Sequence, residues 1–131
     1  MIRVFAYLVQ AAFMPMDQAK TSKLIFLKRI HTAVWIFFNF LMAYLFYAVW
    51  TGQTGPLFWI CVGCFVAEFL VLLFNGWACP ITPMARKYTD DKRANFDIYL
   101  PEWLARHNKT IYTLLFVLVW VIYLFRWKGW L

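Results

Sequence analysis

The sequence predicts an all-α membrane protein built on three transmembrane helices, and three observations carry that prediction. Hydrophobic residues make up 64% of the chain and aromatic residues 22%, far above the content of a soluble domain. Three stretches, residues 30–50, 57–75 and 110–127, each approach the roughly 20 residues that cross a ~30 Å hydrocarbon layer at ~1.5 Å per residue. Charged side chains gather between and beside these stretches, and Glu68 alone lies deep within one. The chain of 131 residues therefore reads as a single helical membrane domain.

At the N-terminus, residues 1–15 combine a basic start with a short apolar run. Phe5, Leu8 and Ala12 recur at helical spacing and Pro15 stops the run, which suggests an interfacial helix rather than a fourth, tilted span. In the first span, His31, Trp35 and Asn39 recur every four residues and form one stripe, a face expected to point into the bundle. TGQTGP, uncharged, forms the turn to the second span, where Cys61, Cys64, Glu68 and Asn75 also share a face. Matching depths across this antiparallel pair places Asn39 opposite Glu68. A carboxyl group in lipid must find a polar neighbour, so Glu68 is expected to turn inward, uncharged, and exchange hydrogen bonds with Asn39 or another polar group of the bundle.

The second span ends at the elbow NGWACPITP, and residues 76–109 form an interfacial connection. Pro80, Pro83 and Pro101 exclude one continuous helix there. Short helices are expected over 91–96 and 102–108, the latter with Pro101 at its first position. The acidic residues of this connection, Asp90, Asp91, Asp97 and Glu102, are expected to pair with neighbouring Lys and Arg.

The net charge of +7 would suit nucleic acid if it formed a basic face on a soluble domain. Here it reports orientation instead. Arg3, Lys20, Lys23, Lys28 and Arg29 precede the first span, and Arg86, Lys87, Lys92, Arg93, Arg106 and Lys109 occupy the connection. By the positive-inside rule both are cytoplasmic, leaving Arg126 and Lys128 outside.

Several residues are candidates for chemistry. Cys61 and Cys64 form a CxxC within a span, the spacing of membrane oxidoreductases that pass electrons to quinone. Such a mechanism needs a second pair on the same side, and Cys79 alone remains, at the other side. Small residues such as Cys61, Cys64 and Gly63 also let helices approach closely. His31 and His107 sit near the same ends of their spans, a placement that can clamp a b-type haem. His31, Asn75, Cys79 and His107 together border the mouth of the bundle, where the connection is placed to cover a site.

The CPIT at Cys79 to Thr82, followed by Phe96-x-x-Tyr99-Leu100 and preceded by a histidine at the start of one span, resembles a family of small bacterial inner-membrane proteins of unknown function. Its signature is Cys-Pro-Leu-Thr followed by Phe-x-x-x-Tyr-Leu, and the similarity covers about residues 30–111. The resemblance implies a multi-pass inner-membrane protein in which the elbow matters. With no complete catalytic set legible, the expected role is an accessory or scaffold subunit of a larger membrane complex. The alternatives are a haem- or quinone-linked redox protein and a proton-linked carrier using Glu68, the latter as a homo-oligomer.

Overall fold

The computed structural model describes residues 1–6 and 16–131, and the described residues contain helices and turns but no strand. Residues 2–6 form one exposed helical stretch. Leu8, Ala12 and Pro15, which carried the expected interfacial helix, lie outside the described residues.

Four helices follow: α1, Met16–Thr51; α2, Pro56–Phe74; α3, Ile81–Arg86; and α4, Glu102–Trp127. Three of them, α1, α2 and α4, are long and apolar enough to cross a membrane. Neither glycine nor proline interrupts residues 16–51, so α1 continues for 36 residues, far beyond the expected span. At ~1.5 Å per residue it is about 54 Å long, roughly 24 Å more than a hydrocarbon layer requires. The excess carries Lys20, Lys23, Lys28 and Arg29 and supplies a stem for the connection. Likewise, residues 102–108 form no separate helix. They are the first turns of α4, which has Pro101 as its N-cap residue rather than inside it.

Helix α2 starts with Pro56 in its first turn, where a missing N–H costs nothing. It ends in a Schellman turn: Gly76 adopts φ 66°, and the Trp77 N–H returns to the Leu72 carbonyl at 2.7 Å. Gly129 closes α4 in the same way, with φ 73° and a Trp130 N–H to Phe125 carbonyl bond of 2.9 Å.

Helix α1 is the spine and packs against each of the other three. The main core joins Met42, Leu45, Ala48 and Val49 of α1 to Phe58, Cys61 and Val62 of α2 and Val119 of α4, near the α1–α2 turn. A smaller core, Leu27 with Ala85 and Phe96, fastens the connection to the stem of α1. The connection is therefore packed onto protein rather than lying alone along the headgroups. Residues 91–96, an expected helix, instead form turns and bends. Helices α2 and α4 have no close backbone approach. Aromatic rings bridge them: Phe58 stacks on Tyr123 with centroids 5.8 Å apart, and Phe65 meets Phe116 at 5.5 Å. Towards the stem this separation opens into a cavity.

Candidate functional site

The site lies where the elbow and connection fold over the cavity, and it is assembled from three separate stretches of chain. His31 is the first contributor, on α1 where the stem meets the bundle. Its Nδ1 is 3.2 Å from the backbone carbonyl of Asp97 and 3.2 Å from the Asp97 carboxylate oxygen Oδ2. Both partners are acceptors, so Nδ1 carries the proton and donates it. The Cys79 thiol also lies within hydrogen-bonding reach of the ring. Nδ1 is committed to Asp97, which leaves Nε2 as the ring's uncommitted nitrogen.

Asp97 is the second contributor, buried at 3% exposure between the buried Phe96 and Ile98. The Thr82 hydroxyl donates to its Oδ2 at 2.5 Å. Burial by itself would raise this carboxyl group, but the His31 ring and the Thr82 hydroxyl outweigh burial and hold it below its ordinary value. Its segment is fixed from two sides. The Tyr99 N–H donates to Thr32 Oγ1 at 3.0 Å, and the Asn95 amide donates to the Leu100 carbonyl at 2.7 Å. Lys28 lies over the Tyr99 ring at 4.5 Å and Arg86 over Phe96 at 3.7 Å, covering the segment with cations.

The CPIT elbow supplies the third part, since Cys79 and Thr82 are its first and last residues. The Asn75 amide bonds the Ala78 carbonyl at 2.7 Å, and the Thr82 N–H bonds the Cys79 carbonyl at 2.9 Å. Trp77 holds a positive φ of 63°, which is uncommon for a bulky residue, and its carbonyl accepts from the Lys109 ammonium group. The elbow thus does more than end a span: it delivers one thiol and one hydroxyl to opposite members of the His31–Asp97 pair.

The cavity holds about 420 Å³ and is lined by Phe38 of α1, Phe65 and Glu68 of α2, Phe116 of α4, and by His31 and Cys79. Asn108, Lys109 and Tyr112 add polar groups from α4. The Asn108 Oδ1 accepts from Trp35 Nε1 at 3.0 Å, leaving its amide hydrogens unused in that bond. The Tyr112 hydroxyl is shut from solvent with no well-formed hydrogen bond among the described residues, and the Asn39 side chain is a polar neighbour of it.

The sequence-derived candidates fare differently. His31 and Cys79 come together, and Glu68 lines the same cavity. Asn39 does not meet Glu68: it is exposed, and its amide returns to the Trp35 carbonyl of its own helix at 2.8 Å. An intrahelical acceptor four residues back is always in reach, so the Asn39 amide is satisfied without Glu68. Glu68 is half-buried, within electrostatic range of His31, and forms no hydrogen bond or ion pair with another described residue. His107 is exposed, outside the cavity, and bonded to the Trp103 carbonyl at 2.8 Å. The cavity that His31 borders is thus lined without His107. Cys61 and Cys64 are free thiols, and Cys61 is packed in the main core. Gly63 mediates no close helix approach, as a Cβ there would meet open space. Asn75 serves the elbow rather than the cavity.

Asp91 and Glu102 pair with Arg93 and Arg106 as expected, each at 2.7 Å, whereas Asp97 takes His31 and Thr82. Asp97, Thr82, Asn108, Lys109 and Tyr112 were missed as site residues. The available signal for the first two lay in CPIT and Phe96-x-x-Tyr99-Leu100, which contain or enclose them. Among the described residues, no group of three His, Cys, Asp or Glu side chains is arranged to hold a metal ion. The set is a chain, thiol to ring to carboxylate, rather than a ligand cage. No family model, curated protein or solved structure matches the chain.

Proposed function

We propose that this chain is a multi-pass protein of a bacterial inner membrane that takes one amphipathic molecule from the bilayer into the gap between α2 and α4. The carrying observation is the cavity itself. It is mostly apolar, it has the size of a small-molecule site, and its polar groups include His31, Cys79, Asn108 and Lys109 beside the elbow, together with Glu68 and Tyr112. An acyl or isoprenoid chain would lie along Phe38, Phe65 and Phe116. Its head would reach His31, Cys79, Asn108 and Lys109, where the ammonium group favours a carbonyl or an anion. The uneven distribution of lysine and arginine supports a cytoplasmic N-terminus, stem and elbow.

The accessory-subunit reading draws on the small soluble mass, the many aromatics and the lack of a catalytic set in the sequence, and the last of these carries less weight once His31 and Asp97 pair beside Cys79. The test is to purify the protein gently from its native membrane and identify by mass spectrometry any amphiphile retained at stoichiometric level. Val117 lines the cavity from α4, so Val117→Trp should narrow it and eliminate that species. Retention of only bulk phospholipid, unchanged by Val117→Trp, would refute the reading. A large protein partner recovered in equal amount would favour an accessory subunit, and a Soret band a haem protein.

A further inference from the structure

Cys79 has a position that ligand binding alone does not require. A thiol at the mouth of an apolar cavity stands within reach of an imidazole whose other nitrogen is held by a buried carboxylate. That is the order of groups used for covalent acyl transfer: nucleophile, base, and a third group that orients the base. We propose that Cys79 is a catalytic nucleophile that accepts an acyl group from an ester or thioester lodged in the cavity, with His31 as general base and Asp97 as positioning residue.

The tautomer supports these roles. With its Nδ1–H donated to Asp97, the His31 ring in its neutral form carries its lone pair on Nε2, the nitrogen that a base would use. Thr82 fixes the carboxylate oxygen that holds the ring, so both polar ends of CPIT serve one reaction. In the acylation step Nε2 takes the thiol proton while the sulfur attacks the acyl carbon. The bond from acyl carbon to leaving oxygen or sulfur then breaks, and His31 returns the proton to the departing alcohol or thiol. Cys79 is left as a thioester. A second nucleophile, water or an alcohol or amine, gives its proton to His31 and attacks the thioester carbon, and the Cys79 sulfur leaves and recovers the proton. No electron donor or acceptor is needed. The Asn108 amide, already oriented by Trp35, and the Lys109 ammonium group line the same cavity and are the donors available to the oxyanion of each tetrahedral intermediate.

The other two thiols differ in surroundings. Cys61 is enclosed in the main core, and neither Cys61 nor Cys64 lines the cavity. A reactive acyl donor entering from the bilayer would meet Cys79.

This inference rests on the cavity taking an amphiphile, and the experiment separates the two. The full chain in mild detergent is exposed to p-nitrophenyl palmitate, with release of p-nitrophenolate followed by absorbance and acylation by intact-protein mass spectrometry. Binding of cis-parinaric acid, which does not acylate, is followed in parallel by fluorescence. Wild type should gain one hydroxylamine-sensitive palmitoyl group on Cys79, and Cys79→Ala should gain none. His31→Gln should acylate about a hundredfold more slowly or worse, the usual scale of general-base catalysis, while still binding parinarate. Asp97→Asn and the milder Thr82→Val should slow acylation by about tenfold or more with parinarate binding retained. Acylation of Cys61 or Cys64 at the rate of Cys79, or an unchanged rate in His31→Gln, would overturn the proposal. Parinarate binding without acylation would defeat the nucleophile and leave the binding cavity standing; failure of both would defeat both.

Discussion

Replacing Asp97 tests the buried set most directly, because its carboxylate joins the connection to both α1 and the elbow. In Asp97→Ala the His31 Nδ1–H loses its side-chain acceptor and the Thr82 hydroxyl loses the oxygen 2.5 Å away. Water cannot readily replace that oxygen, since the Asp97 and His31 side chains are only 5% and 18% exposed. Hydrogen bonds to a charged group contribute about 1.5–3 kcal/mol each, and breaking a buried pair by removing one partner costs about 3–5 kcal/mol. Asp97→Ala should therefore lose about 3–5 kcal/mol. Thr82→Val, which removes one of the bonds, should lose about 1.5–3 kcal/mol. The two losses should not add, since both variants break the same contact. Unfolding in mixed micelles, followed by tryptophan fluorescence, measures all three variants of the cycle.

The pH dependence has a definite sign. The folded-state value of Asp97 lies below its ordinary 3.8, so its contribution is complete above the unfolded-state value and is lost as pH falls through the lower folded-state value. Wild type should weaken in that acid window, while Asp97→Asn should be less stable at neutral pH and flatter below it. A loss under about 1 kcal/mol for Asp97→Ala, or a wild type that grows more stable on acidification through this window, would refute the buried pair.

Gly52→Ala should destabilise by about 1–2 kcal/mol, because Gly52 holds φ 77° and an added Cβ would lie 2.8 Å from Arg126 Nε; the same unfolding assay reads it. Trp35→Phe removes the donor 3.0 Å from Asn108 Oδ1 and should cost about 1–3 kcal/mol by leaving that acceptor unpaired, with intrinsic fluorescence adjusted for the lost tryptophan. A single cysteine introduced as Gln53→Cys in a cysteine-free background should react with an impermeant maleimide on intact cells, whereas one at Lys92 should react only after the membrane is opened. The reverse pattern would invert the orientation.

What the sequence determined is what depends on composition and local rules. Uninterrupted apolar runs can satisfy their backbone only as helices in lipid, so the three long helices were legible. So was the turn at 51–56, and so was the absence of one continuous helix through the connection, although Pro83 falls inside the first turn of α3 rather than ending a helix. The α1 stem was legible in principle, since no glycine or proline separates residue 16 from 51, but the apolar pattern gives way to lysines and arginines before residue 30 and so concealed the length of the helix. The site was legible only in fragments. His31 and Cys79 stood out by residue type at the bundle mouth, while Asp97 looked like one more acidic residue among cations. Only tertiary packing decided that Leu27, Ala85 and Phe96 would clasp the connection to α1, bringing Asp97 to a histidine 66 positions away. Tertiary packing also decided that α2 and α4 would stand apart. Helical periodicity fixes which residues share a face, but it carries no information about which distant segment comes to cover that face.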